Sequence, residues 1–270
     1  MDRPWVVLFV YFTAVFLIVF VSGLALITLQ AWSPDVPARD LAQSLPGLLA
    51  GSLASSAALL ITVVLSERPL EPVRLGLVPG RQTARGLGVM VLGILALGQT
   101  LDSATQLIGV HNVGTMVIVR RALEGVLGPE LVAAILVIGV VAGAAEEVFF
   151  RGVMQRRLRF FWRPVSAVAL TSAGFAILHV DPYDPHVAPF ALTFALSLYL
   201  GFVVEQARST LPAIVCHVLN NVVFTLQVAL GWSALPRSVN VTLVVGCAAV
   251  FLACVAWLRR APIATPPAGA

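Results

Sequence analysis

The sequence predicts an all-α polytopic membrane protein with about eight transmembrane helices. Three observations carry that expectation. Of the 270 residues, 59% are hydrophobic and 11% are charged, whereas a soluble domain has about 25% charged residues. Mean hydropathy is +0.95. The apolar residues also fall into runs of the ~20 residues that a helix needs to cross a bilayer, with arginines punctuating the runs.

Taken in order, the runs occupy 5–30, 44–65, 87–109, 130–156, 164–180, 187–207, 210–230 and 238–258. The first is too long for a signal-peptide core and lacks a small-x-small cleavage site, so it reads as an anchor. Gln99 and Asp102 interrupt the third, and the fifth is short. Between the third and fourth, TMVIVRRALEGVLG (Thr115 to Gly128) has the pattern of an amphipathic interfacial helix. The tail APIATPPAGA, residues 261–270, is expected to be disordered.

All 17 basic residues are arginine. Eight crossings place thirteen on one side, including Arg3, Arg151, the cluster from Arg156 to Arg163, Arg208, Arg259 and Arg260. The other side receives Arg39, Arg120, Arg121 and Arg237. The positive-inside rule then makes both termini cytoplasmic. The pI near 9.5 therefore speaks of loops facing membrane lipids, and no nucleic-acid partner is expected. Cys216, Cys247 and Cys254 lie in apolar runs and form neither a disulfide framework nor a CxxC metal pair.

Three polar patterns lie deep inside the runs, where an ionisable group is costly and marks function by default. In EEVFFR, Glu147 and Arg151 are four apart and share a helix face. Glu146 is turned about 100° away and is free to face elsewhere. In FAILH, Phe175 and His179 are four apart, as are His217 and Asn221 in HVLNN. The turn at Trp162 to Pro164 joins the fourth and fifth runs as a hairpin. Glu146 and His179 both sit roughly 23 Å from it, at matching depth. Along the seventh run, His217 and Asn221 sit roughly 9 and 15 Å from its start. One carboxylate, two imidazoles and a carboxamide can thus converge. Ala142 to Ala145 are small enough to let neighbouring helices approach. A cavity opening toward the arginine-rich end, between the fourth, fifth and seventh helices, is expected to admit water and peptide.

The ordered set Glu-Glu-x-x-x-Arg, Phe-x-x-x-His and His-x-x-x-Asn resembles the CPBP family (CAAX protease and bacteriocin-processing, or ABI) of intramembrane endopeptidases, to which the type II CAAX prenyl endopeptidases are related. The resemblance covers about 130–230 and places a catalytic core in transmembrane helices four to seven. It divides the chain into N-terminal transmembrane helices with the interfacial segment (1–129), a protease core (130–230), a C-terminal transmembrane helix (231–260) and the tail (261–270). It implies a peptidase acting on a membrane-associated, prenylated or processed protein or peptide, in a bacterial plasma membrane. Glu146 would be the catalytic carboxylate, with His179 its partner in activating water. His217 and Asn221 would hold the water or the oxyanion, with Glu147, Arg151 and Phe175 in support.

Zinc needs about three protein ligands plus water, and Glu146, His179 and His217 could supply them. That would consume the best base, and the HExxH pattern of zinc peptidases is absent. The favoured reading requires no cofactor. Serine and aspartyl intramembrane proteases fit worse, since no Gly-x-Ser-Gly and no Gly-x-Gly-Asp occurs. The alternatives are a proton-coupled transporter or channel, against which stands the lack of inverted repeats, and a non-catalytic immunity or scaffold protein on the same fold.

Overall fold

The computed structural model describes residues 3–232 and 235–260. The tail at 261–270 lies outside them. Every regular element among the described residues is helical. In chain order these are α1 (Pro4–Trp32), α2 (Ala38–Gln43), α3 (Leu45–Ser66), α4 (Ala84–Leu107) and α5 (Thr115–Leu123). There follow α6 (Gly128–Leu158), α7 (Pro164–Ile177), α8 (Val187–Ala207), α9 (Leu211–Ala229) and α10 (Arg237–Arg260). Seven of these are long and apolar enough to span a membrane, and α7, with 14 residues, is a shorter apolar helix. About eight crossings is therefore the right architecture, and the chain is an integral membrane protein.

Local chemistry sets the helix ends. Ser44 and Thr83 cap α3 and α4, their hydroxyls accepting from Gly47 N and Gly86 N at 3.3 and 3.0 Å. Proline stands in the first turn of α1, α3, α6, α7 and α9, where its missing N–H costs nothing. The expected fifth span, 164–180, stops three residues early. Asp181-Pro182 follows, and the residue before proline resists the α conformation. The last turn tightens, with His179 N and Val180 N donating to Ala176 O and Ile177 O. His179 thus stands just past the end of α7.

Helices α6 and α9 pack against each other at the centre. Helices α3 and α4 flank them, α7 and α8 close the side, and α1 and α10 lie outermost against α3 and α4. Small residues set the central contact. A Cβ on Gly139 would meet Val222 Cγ2 at 2.7 Å, and one on Gly143 would meet Val218 Cα at 3.5 Å.

Helix α6 is not uniformly α-helical. π-Helical turns run over Ile135–Ala142 and Val148–Gln155, on either side of an α-helical turn at Gly143–Glu147. Such turns are rare and often mark functional sites. Here they flank the two glutamates.

Helix α5 lies where the interfacial helix was expected, but Arg120 is not a solvated loop charge. It is buried, ion-paired to Asp102 of α4, with its guanidinium 5.5 Å from the ring centre of Phe224. The pair also accounts for the acid that interrupts the third apolar run. A buried charge requires such a partner.

Candidate active site

Adjacent glutamates meet different surroundings because the helix turns between them. Glu147 is fully buried. Its Oε1 accepts from Arg151 Nη1 at 2.7 Å and from His217 Nδ1 at 2.8 Å. Arg151, also fully buried, uses Nη2 to donate to Ser197 O and Oγ at 3.0 and 2.8 Å. Glu146 instead lines a cavity of about 340 Å³. Its Oε2 lies 3.7 Å from His217 Nε2. One imidazole thus stands between the two carboxylates, held on its Nδ1 side and facing Glu146 with Nε2.

Tautomers follow from the partners. An ionised carboxylate only accepts, so the Nδ1 of His217 carries the proton. His179 Nδ1 lies 2.9 Å from Phe175 O, and a carbonyl also only accepts. In the neutral ring the Nε2 of His179 therefore keeps a lone pair. The Phe175 ring holds both histidines in place. Its centre is 4.4 Å from that of His179 and 5.8 Å from that of His217. The Arg151 guanidinium lies 5.2 Å from the same ring centre.

Glu146, Phe175, His179, His217 and Asn221 all line the one cavity. No hydrogen bond or ion pair joins Glu146 to His179 among the described residues, so the carboxylate's nearest imidazole is His217. Asn221 donates Nδ2 to Ile138 O, at 3.3 Å, within the first π-helical stretch. That leaves one amide hydrogen for the cavity. No group of three His, Cys, Asp or Glu side chains that could hold a metal ion occurs among the described residues. Glu146, His179 and His217 line the same cavity without forming such a group.

The cavity does not run toward the arginine-rich end. Its walls continue from Glu146 to Gln99, Asp102, Met116, Val119 and Gln227, at the end that carries α5. Residues 67–83 fold over the other end. Thr210 Oγ1 donates to Leu75 O at 2.8 Å, Ser209 Oγ to Val78 O at 2.7 Å, and Arg157 Nε to Glu67 at 2.8 Å. Leu75 O sits where a Cβ on Gly152 would meet it at 3.0 Å. Hydrogen-bonded loop and packed α6 together leave no lining residue at that end.

Two supporting residues have little sequence signal. Ser197 is a single hydroxyl in an apolar run, yet it is fully buried against Arg151. Thr115 donates Oγ1 to His179 O at 2.7 Å from the start of α5. A lone polar residue at mid-depth hints at the first; nothing in the sequence pairs Thr115 with His179.

Fold and site together define a helical membrane protein with a Glu–His cluster in a cavity among its helices. Residues 128–223 match the family described as Type II CAAX prenyl endopeptidase Rce1-like. This is the family that the three motifs resemble, and the match covers α6 through most of α9. At family level it supports a CAAX-type intramembrane protease, an enzyme that hydrolyses protein or peptide substrates in membranes. No curated protein and no solved structure matched the chain.

Proposed function

We infer that the protein is an intramembrane endopeptidase in which Glu146 activates water. The observation that carries this reading is the contrast between the two glutamates: Glu147 is fully buried with its Oε1 taken by Arg151 and His217, while Glu146 faces the cavity beside His217 Nε2. A general base must have room for a water and reach its proton.

In the proposed reaction Glu146 takes a proton from water as the oxygen attacks the substrate carbonyl carbon. The oxyanion accepts from the second amide hydrogen of Asn221, while the Nε2 lone pair of His217 holds the attacking water by accepting from its other hydrogen. The C–N bond then breaks. The nitrogen receives the proton that water gave to Glu146, relayed across a second cavity water to the lone pair on His179 Nε2 and from there to the nitrogen, which leaves as the amine. Water is thus added across the peptide bond. Glu147, Arg151 and Phe175 do not touch the substrate in this scheme; they fix the His217 and His179 rings. The arginine-rich end faces the cytoplasm, in a bacterial plasma membrane on the resemblance.

The test is purified protein in lipid nanodiscs, incubated with a pool of synthetic apolar peptides and read by mass spectrometry for new termini. New termini with the wild type and none with Glu146→Gln are expected. Equal cleavage by both would overturn the assignment.

A further inference from the structure

Beyond the groups assigned to the reaction, the cavity holds carboxamides that the reaction does not use. On α9, His217, Asn220, Asn221, Phe224 and Gln227 recur at three- and four-residue spacing, so they share one face. All five line the cavity. Gln99 of α4 lies beside the far end of this row. Its Oε1 accepts from Gln227 Nε2 at 2.7 Å, and its Nε2 donates to Ser103 Oγ at 3.0 Å. Neither Gln227 Oε1 nor the Asn220 carboxamide has a hydrogen-bond partner among the described residues. Gly98 makes room for Asn220, because a Cβ there would lie 2.5 Å from Asn220 Oδ1.

A carboxamide is neutral and offers both donor and acceptor. That is the complement of a peptide group, which an extended chain presents at every residue. A substrate segment drawn out of helix and out of water must find partners for those groups. Leu95, Leu192 and Leu196 of the lining can offer none. The ten residue steps from His217 to Gln227 measure ~15 Å along the helix. At ~3.3 Å per extended residue, that is between four and five residues of substrate.

The geometry points to a main-chain subsite. Resting on the endopeptidase reading above, Gln227 and Gln99 hydrogen-bond the backbone of an extended peptide about four residues from the scissile bond, and Asn220, ~4.5 Å along the helix from His217, serves the peptide groups nearer to it. The class of substrate selected is a segment that leaves the helix readily, such as one containing glycine, with its side chains at that position read little.

The experiment uses the full chain in nanodiscs and one peptide that it cleaves from the synthetic pool. Each peptide nitrogen is methylated in turn. Methylation three to five residues from the scissile bond, on one side, lowers kcat/KM about tenfold, the worth of roughly one hydrogen bond. Exchanging Leu for Thr at the same positions changes it less than twofold. In Gln227→Met the methylation penalty disappears. Gln99→Met, which removes the carboxamide paired with Gln227, reduces it and serves if Gln227→Met does not fold. Absence of a penalty in the wild type overturns the subsite and leaves the endopeptidase standing. So does an unchanged penalty in the variants that fold. If the wild type cleaves nothing that Glu146→Gln does not, the endopeptidase reading falls and the subsite with it.

Discussion

Glu146 and Glu147 are neighbours in the chain, and His217 lies between their carboxylates with one ring nitrogen toward each. The arrangement predicts unequal responses to the same substitution. Glu146→Gln removes the proposed base and keeps the shape; cleavage should be lost while the melting temperature in detergent moves little. Glu147→Gln leaves the Arg151 charge unpaired and fully buried. Breaking one partner of a buried pair costs about 3–5 kcal/mol, so both melting temperature and rate should fall. Adding Arg151→Met to Glu147→Gln should restore much of the melting temperature but not the rate, since His217 Nδ1 still lacks its anionic acceptor. Recovery of the rate in the double variant would show that Glu147 serves Arg151 alone. At this scale the sequence was informative. Four-residue spacing already paired Glu147 with Arg151 and turned Glu146 away. It could not tell which histidine would stand nearest Glu146, because that depends on where α7 ends and which way each ring is held. The tie between Phe175 O and His179 Nδ1 and the anchoring of Asn221 on Ile138 O are likewise contacts that spacing does not encode.

Among the helices, the contact between α6 and α9 brings Glu146 to His217 and Asn221. Gly139 lies on it, and a methyl group there would press on Val222. Gly139→Ala should therefore push α9 outward, lowering both melting temperature and rate; overpacking costs about 1–3 kcal/mol. Gly88 on α4 has nothing within 4 Å of an added Cβ. Gly88→Ala should be neutral or slightly stabilising, since alanine favours the helix by about 1 kcal/mol over glycine. Thermal melts of the two variants, read together, check the pair of expectations. Equal effects would mean that the close approach does not matter. The small residues before the glutamates announced this contact in the sequence. The π-helical turns did not show, because a shift from i→i+4 to i→i+5 bonding leaves no separate period in so apolar a run. Nor did the early end of α7 register, although Asp181-Pro182 carried the signal.

For the whole molecule, the count and order of crossings could be read from apolar run lengths, since lipid leaves helices no other way to satisfy their backbones. The direction of the cavity could not. It follows from residues 67–83 folding over one end and from α5 lying by the other, long-range contacts invisible to local pattern. Arginine asymmetry predicts that the 67–83 end is cytoplasmic. Arg151 and Arg120 are both buried in ion pairs, one from each side of the count, so the bias keeps its sign. With the native cysteines replaced, an impermeant thiol reagent added to intact cells should label Asn112→Cys. It should label Arg74→Cys only after permeabilisation. The reverse pattern would invert the topology. The central claim is that the Glu146 carboxylate activates water and does not itself attack the substrate. A single turnover in H2(18)O, with enzyme in excess over a cleaved peptide, tests it most directly. The account predicts one heavy oxygen in the new C-terminal carboxylate and none in the enzyme fragment containing Glu146. Heavy oxygen in the Glu146 carboxylate would reveal an acyl-enzyme anhydride and contradict it.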